Sequence, residues 1–376
     1  MNRLISLLLA AALLAGCAAT PVVAPAPPAG ARLASATPAA PPATAAPAAT
    51  ATSAPSATPS AEASPSPTDT PAPTNTPTAE PSPTAVPTPD PVAGLTIPDL
   101  RARSYGEGEI SVGAIYNRAP GYTSYRISYP SADGLRLTGL LHVPDGEGPF
   151  PLIIANRGYI APERYQPGMD SRAFSDYFAR RGYLVVAPDY RAYGGGDAGP
   201  NPFYTGYYLD VLSVIPLAQR LPMARPGKVG MWGHSRGASI TVAALAVSDQ
   251  IAAAVVYAPA PADLAEDYAR RFRQSGGNPG SDTFPFPPEQ NPEAYARVSP
   301  INYLDAAQAP VMLHHGTADT TVDASASVKI AEALRAAGKD VTLHLYENGP
   351  HTLQGRQEAL YFERTLAFLV QHLGSP

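Results

Sequence analysis

A serine with a glycine two residues to either side, Gly233-His234-Ser235-Arg236-Gly237, separates an apolar run (Val229 to Trp232) from a run of small residues (Ala238 to Val247). Strand, sharp turn and helix is the order this implies, with Ser235 at the apex. A turn that tight strains the serine's backbone and crowds its neighbours, so each glycine removes a Cβ where the chain meets itself. The hydroxyl then stands at the mouth of a sheet, above a helix N-terminus whose N–H groups can hold a developing oxyanion. Such a residue can attack a carbonyl. Near neutral pH it needs a base within hydrogen-bonding reach, and the base needs an acid to fix its tautomer.

The acid expected is Asp319, in His315-Gly316-Thr317-Ala318-Asp319-Thr320-Thr321-Val322, just beyond a short apolar strand. Asp323 sits closer to the next helix and suits a capping role. The base expected is His351, in Glu347-Asn348-Gly349-Pro350-His351, between the last strand and the last helix. The other six histidines fit less well. His142 and His344 fall inside strands, His372 near the end of the last helix and His234 inside the turn. His314 and His315 end a strand, where packing or bracing of a loop is the better reading. Serine, aspartate, histidine is also the chain order of the α/β-hydrolase triad. Two oxyanion donors are expected: the backbone N–H of Arg236, directly after the nucleophile, and that of Tyr159, after Gly158. The Tyr159 ring is a candidate for lining the substrate pocket.

The elements that must position these residues follow from hydrophobic pattern. Tyr122 to Ser128 and Leu135 to Val143 alternate around Ser131-Ala132-Asp133-Gly134, the pattern of an antiparallel hairpin. Phe150 to Ala155 and Tyr183 to Ala187 are short apolar runs, as in a parallel sheet covered on both faces, and Ala252 to Tyr257, Val311 to His315 and Val341 to Tyr346 read as further strands. Helices are expected over about 171–181, 207–220 (kinked at Pro216), 324–337 and 354–373. The class is α/β: a mainly parallel, doubly wound sheet with flanking helices and an N-terminal antiparallel hairpin. In such sheets the active site lies at the carboxyl ends of the strands, where the turn at Ser235 is placed. Pro259 to Pro300 reads as irregular, and within it 260–297 is an insertion that can form a small cap over the site.

The domain resembles the catalytic domain of the prolyl-oligopeptidase-like serine hydrolases, a group with acylaminoacyl-peptidase, dipeptidyl-peptidase and esterase relatives. The resemblance is carried by Ser131-Ala132-Asp133-Gly134-Leu135-Arg136-Leu137, by Arg181-Gly182-Tyr183-Leu184-Val185-Val186-Ala187-Pro188-Asp189-Tyr190-Arg191, by the serine turn, by Val298-Ser299-Pro300-Ile301, and by the Asp319 and His351 segments. It implies an α/β-hydrolase fold, the roles already read for Ser235, Asp319 and His351, and no metal or cofactor. The substrate class implied is a peptide or a small ester. The alternatives are a dienelactone-hydrolase-like carboxylesterase and, outside catalysis, a silent hydrolase fold used as a surface binding module. Relatives commonly carry His-Gly in the oxyanion loop, whereas this chain has Arg157-Gly158. Arg157 either braces that loop through a carboxylate or faces the pocket to bind an anionic substrate group; bracing is the favoured expectation. The long peptidases of the group carry an N-terminal β-propeller. The corresponding region here cannot fold into one, so their substrate preferences do not transfer.

That region is organised differently. Arg3 and the apolar run Leu4 to Leu14 have the size of a secretory signal core, short of the roughly 18–20 residues a bilayer span needs. Leu14-Ala15-Gly16-Cys17 resembles the lipobox of bacterial lipoproteins, which implies cleavage after residue 16 and acylation of Cys17, the chain's single cysteine. Multiple acyl chains would tether the protein stably on the outer side of the cytoplasmic membrane. Residues 17–94 are dominated by Pro, Ala, Thr and Ser, and 21 of the 45 prolines precede Leu100, so little apolar area offsets the entropy of ordering them. A disordered stalk is expected there, with the catalytic domain over 95–376. The formal net charge of −5 is mildly acidic and argues against a nucleic-acid partner. Oligomeric state is not encoded in any pattern of the sequence.

Overall fold

The computed structural model describes residues 89–376. The signal segment 1–16, Cys17 and all but the last few residues of the stalk lie outside the described residues. The folded domain begins slightly before the expected boundary at 94/95. Val92 is fully buried in the core and Asp90 pairs with Arg297 at 2.8 Å. One apolar side chain among prolines carries no periodicity, so the sequence could not mark it.

Nine strands form one sheet: β1 (Ser111–Ala119), β2 (Tyr122–Pro130), β3 (Arg136–Pro144), β4 (Leu152–Asn156), β5 (Leu184–Pro188), β6 (Val229–His234), β7 (Ile251–Tyr257), β8 (Val311–Gly316) and β9 (Val341–Tyr346). Their spatial order is β1-β2-β3-β5-β4-β6-β7-β8-β9. The first three are antiparallel, β3 meets β5 antiparallel, and every pairing from β5 to β9 is parallel. The expected hairpin is β2–β3, with Tyr125 opposite Leu141. Strand β1, which the sequence pattern did not reveal, adds an outer edge. Eight of its nine residues are exposed, so it has no buried face to produce an alternation.

Among the described residues eight α-helices flank the sheet: α1 (Ile97–Ala102), α2 (Arg172–Ala179), α3 (Thr205–Gln219), α4 (Arg236–Val247), α5 (Leu264–Gln274), α6 (Pro292–Val298), α7 (Ser325–Ala336) and α8 (Gly355–Leu373). Helix α3 continues through Pro216. Alternate strand residues divide the core into two layers, as the pleat requires. Leu184, Val186, Met231, Ala254 and Val256 face the cluster built with α3, α4 and α7. Val185, Ala187, Trp232, Ala253 and Val255 face the cluster built with α2 and α8. In the second layer Phe174 stacks on Trp232 at 4.3 Å and the Trp232 indole donates to the Tyr361 hydroxyl at 2.6 Å.

The segment 259–300 is a correction. It is not irregular: α5 and α6 lie within it. Asp263 caps α5 by accepting from the N–H groups of Ala265 and Glu266, and Asn291 caps α6 by accepting from Ala294. Helix α5 is so rich in charge, and so surrounded by proline and glycine, that its one apolar stripe is masked.

Two of the family-like segments prove to be one structural unit. Arg191, after β5, is buried and pairs with buried Asp210 of α3 at 2.7 Å and with Asp133 in the β2–β3 turn at 3.0 Å. Burial raises the Asp210 carboxyl to about 6 despite that partner.

A second buried polar group predicts acid sensitivity. His142 on β3 is 5 % exposed, its Nδ1 is 2.8 Å from Ser124 Oγ, and burial lowers its pKa from 6.5 to about 4. As pH falls through 6.5 the unfolded imidazole takes a proton that the folded one refuses. The stabilisation is therefore complete above pH 6.5 and declines toward pH 4, by about 3 kcal/mol. Urea unfolding at pH 7.5 and pH 4 measures it. His142→Gln, which cannot titrate, is expected to lose less stability between the two pH values than the wild type; equal losses would assign the acid sensitivity elsewhere.

Candidate active site

The order β5-β4-β6 is where chain direction across the sheet reverses, so the loops leaving β4 and β6 open side by side. Register does the rest. Asn156 pairs with Gly233, so the residues two further on, Gly158 and Ser235, arrive together. A Cβ built on Gly158 would lie 3.1 Å from Ser235 Cβ.

Ser235 joins β6 to α4 with φ 53° and ψ −119°, a conformation that costs a non-glycine residue on the order of 1–3 kcal/mol. Its N–H donates to the Tyr257 carbonyl at 2.9 Å, which holds the apex against β7. The flanking glycines are required by contact distance. A Cβ on Gly233 would sit 2.3 Å from the Gly237 carbonyl oxygen, and one on Gly237 would sit 2.0 Å from that of Asn156.

Asp319 follows β8 and His351 follows β9. His351 Nδ1 lies 2.6 Å from Asp319 Oδ2. That carboxylate is buried and accepts from four directions. His315 Nε2 reaches the same oxygen at 3.0 Å, while the N–H groups of Thr321 and Val322 reach Oδ1 at 2.8 and 2.9 Å. Burial alone would raise its pKa, but the His315, His351 and Val322 donors outweigh it and hold the group well below the usual carboxylate range. A fixed anion at Nδ1 keeps the proton there and leaves His351 Nε2 as the acceptor. The Ser235 hydroxyl makes no hydrogen bond to His351 in this structure; contacts of this kind tighten when substrate binds.

His315 braces the loop, in line with its sequence reading. Its Nε2 also faces the Val322 carbonyl at 3.0 Å, so that nitrogen carries the proton, and its Nδ1 lies 2.7 Å from Ser327 Oγ. Asp323 caps the turn before α7, accepting from the Ser325 N–H at 2.8 Å.

Sequence reasoning missed Asp170. Its carboxylate accepts from the Gly158 N–H at 2.6 Å and lies 2.9 Å from His234 Nδ1. His234 Nε2 in turn lies 3.3 Å from the His351 carbonyl oxygen. Burial works against both charges, yet each is favoured by the other: Asp170 is lowered by His234, and His234 is raised by Asp170. The oxyanion loop, the serine turn and the histidine loop are thereby tied together. The only sequence signal was a histidine inside the turn.

Arg157 requires a correction. It is 2 % exposed and does not line the cleft at Ser235. It braces the loop, though not through a carboxylate: Nη1 donates to the Gly158 carbonyl at 2.9 Å and Nη2 to that of Asp189 at 2.6 Å. Its guanidinium lies 4.0–4.7 Å from the ring centres of Tyr165, Tyr190 and Tyr193. The aromatic faces supply the electrostatic compensation that a carboxylate was expected to give.

Tyr159, by contrast, is 64 % exposed and lines a cleft of about 290 Å³ together with Ser235 and Arg236. The backbone N–H groups of Tyr159 and Arg236 donate to no other group among the described residues. The insertion does overhang the site: Arg270, Arg271 and Gln274 of α5 line the same cleft. Gln274 Nε2 donates to the Thr321 carbonyl at 2.8 Å, and Phe284 packs edge-on against Tyr204 and Tyr268 at 5.6 and 5.5 Å.

Comparison with known proteins agrees with this fold. The profile of the prolyl oligopeptidase family matches residues 171–376, more than half of the chain and including Ser235, Asp319 and His351. A Bacillus subtilis protein called uncharacterized peptidase YtmA is 29% identical over 235 residues, which cover 60% of this chain and 85% of that protein. The Pyrococcus horikoshii acylaminoacyl peptidase superimposes with a TM-score of 0.56 at 22% identity, covering 68% of this chain and 42% of the peptidase. The chain therefore spans less than half the length of that relative. Acetyl xylan esterase 1 from Thermoanaerobacterium superimposes with a TM-score of 0.57 at 15% identity, covering 70% of this chain and 88% of the esterase. The two superpositions establish the fold, and the profile match establishes the kinship: the chain belongs to the prolyl oligopeptidase family of serine hydrolases.

Proposed function

We propose that this protein hydrolyses ester or amide bonds through an acyl-enzyme formed on Ser235. Ser235 Oγ attacks the carbonyl carbon while His351 Nε2 takes its proton. Asp319 holds the imidazole in the reactive tautomer and stabilises the imidazolium. The Arg236 and Tyr159 N–H groups hold the oxyanion, each such donor being worth about 10²–10³ in kcat. His351 returns the proton to the leaving oxygen or nitrogen, the acyl-enzyme forms, and water activated by the same histidine releases the acid. The observation that carries this reading is the strained serine turn beside a carboxylate–histidine pair of 2.6 Å. The N-terminal sequence supports a place of work as well: an acyl anchor on Cys17 would tether the domain outside the cytoplasmic membrane.

Peptidyl p-nitroanilides assayed beside p-nitrophenyl acyl esters test the reaction. Turnover of both classes is expected from a peptidase of this family, and turnover of esters alone would assign the carboxylesterase reading. A fluorophosphonate applied to expressing cells should label a membrane-bound protein that becomes soluble in Cys17→Ser. Absence of label on folded wild type would return the domain to the binding-module alternative.

A further inference from the structure

The cleft that holds Ser235 is basic, although the chain as a whole carries a net charge of −5. Arg236, Arg270 and Arg271 all line it, and no Asp or Glu does. One carboxylate lies behind them. Asp267 is fully buried, with Arg236 Nη2 at 3.1 Å from Oδ2 and Arg270 Nη2 at 2.6 Å from Oδ1. Burial would raise its pKa, but the two guanidiniums outweigh burial and keep it ionised. Three guanidiniums against this one carboxylate leave a local surplus of positive charge beside the nucleophile. The other nearby anions are taken up elsewhere: Asp319 by His315 and His351, and Asp170 by His234 and the Gly158 N–H.

The three arginines are not equivalent. Arg236 stacks on Tyr204, 3.6 Å from the ring centre, and donates to its hydroxyl at 2.8 Å. Arg270 is committed to Asp267 and to Gln274 Oε1 at 2.7 Å. Arg236 Nη1 is buried without a partner, but Arg271 alone has both terminal nitrogens unpartnered among the described residues, while its Nε donates to the Pro279 carbonyl at 2.9 Å. The residue is half-buried and its side chain is held by that bond, and its helix is pinned by Gln274 to the loop bearing Asp319. A guanidinium held by Nε with its outer edge free is arranged to receive a carboxylate by two parallel hydrogen bonds. Because the stem is already ordered, little entropy is lost on binding.

We propose that the preferred substrates are anionic: esters or amides that carry a carboxylate on the acyl or the leaving side of the scissile bond, received by Arg271. This rests on the acyl-enzyme reading given above and adds the substrate class. It also gives the insertion a task, since Arg271 reaches the site only because α5 overhangs it.

Two matched pairs test it. p-Nitrophenyl hydrogen adipate against p-nitrophenyl hexanoate places a carboxylate on the acyl side. 4-Acetoxybenzoate against its methyl ester places one on the leaving side. The wild type is expected to favour the anionic member of at least one pair by about tenfold in kcat/KM at low salt, and less as ionic strength rises. Arg271→Gln should bring that ratio close to one, and Arg271→Lys should restore part of it. The readout is a ratio within one variant, so a folding defect, which lowers both members, does not imitate the result. A wild-type ratio at or below one in both pairs, or an unchanged ratio in Arg271→Gln, overturns the inference while Ser235-dependent hydrolysis of the neutral esters leaves the acyl-enzyme reading standing. Failure of both pairs together with absence of fluorophosphonate labelling overturns the acyl-enzyme reading, and the inference with it.

Discussion

Ser235→Ala is expected to lower kcat/KM by at least about 10⁴-fold and to abolish fluorophosphonate labelling, without lowering stability. The two halves of this expectation have separate structural causes. The hydroxyl is the only group lost, and it makes no hydrogen bond among the described residues, so no partner there is stranded. The backbone N–H still donates to the Tyr257 carbonyl at 2.9 Å, and the Cβ packed against Gly158 remains. A change of this kind falls within about 0.5 kcal/mol, or about 2 °C in Tm for a domain of this size. Ser235→Gly extends the test to the strain itself. At φ 53° glycine escapes the steric cost, so this variant should melt no lower than Ser235→Ala despite the entropy glycine adds to the unfolded chain. Calorimetry and a steady-state ester assay on the same preparations read both quantities. Residual turnover of more than a few per cent in Ser235→Ala would move the nucleophile to another residue.

How far this site could be read from the sequence depended on whether a function is local. The serine turn is local: its glycines, its strand and its helix adjoin it, and the contact that forbids a Cβ at 233 is made within it, while the one at 237 is made with Asn156 of β4. Asp319 and His351 were legible because each follows a strand, at the carboxyl end of the sheet where ligands bind. The resemblance of Ser131–Leu137 and Arg181–Arg191 to the family was legible too, but its cause was not. Only the fold brings Arg191 to Asp133 and Asp210, and that unit serves the scaffold.

What escaped was tertiary or unpatterned. Strand β1 is exposed along almost its whole length, and α5 is charged around most of its circumference, so neither writes a period into the sequence. Asp170 is separated from His234 by 64 positions, and nothing in its own neighbourhood marks it. Arg157 shows how a correct local reading can mistake the partner. A cation in the oxyanion loop demanded compensation, and the structure supplies it with three tyrosine faces and two carbonyls. The anion-binding role considered for Arg157 is instead available to Arg271, from an insertion that the sequence left without structure.

Asp319→Asn is expected to cost about 10³–10⁴ in kcat, far more than its near-identical shape suggests, because of what surrounds the carboxylate. All four groups aimed at it are donors. His315 Nε2 and His351 Nδ1 converge on Oδ2, and the N–H groups of Thr321 and Val322 converge on Oδ1. An asparagine must place its NH₂ against one of these pairs. Directed at the two backbone N–H groups, it collides with donors that cannot move, so it is forced toward the histidines. His315 cannot yield, since its Nε2 must keep a proton for the Val322 carbonyl at 3.0 Å. His351 yields instead: Nδ1 becomes an acceptor, the proton moves to Nε2, and the base can no longer take a proton from Ser235. The loss therefore falls on kcat, with KM changed little, and it should not be recovered by raising pH. His315→Gln separates the two imidazoles. It removes a donor that braces the loop but leaves His351 facing a carboxylate, so a loss of about tenfold is expected, with most of the cost appearing in stability. Equal losses in the two variants would mean that Asp319 acts through the loop's shape and not through the His351 tautomer. A ¹⁵N-labelled imidazole spectrum of wild type and Asp319→Asn reads the tautomer directly, with the His351 proton expected on Nδ1 in the first and on Nε2 in the second.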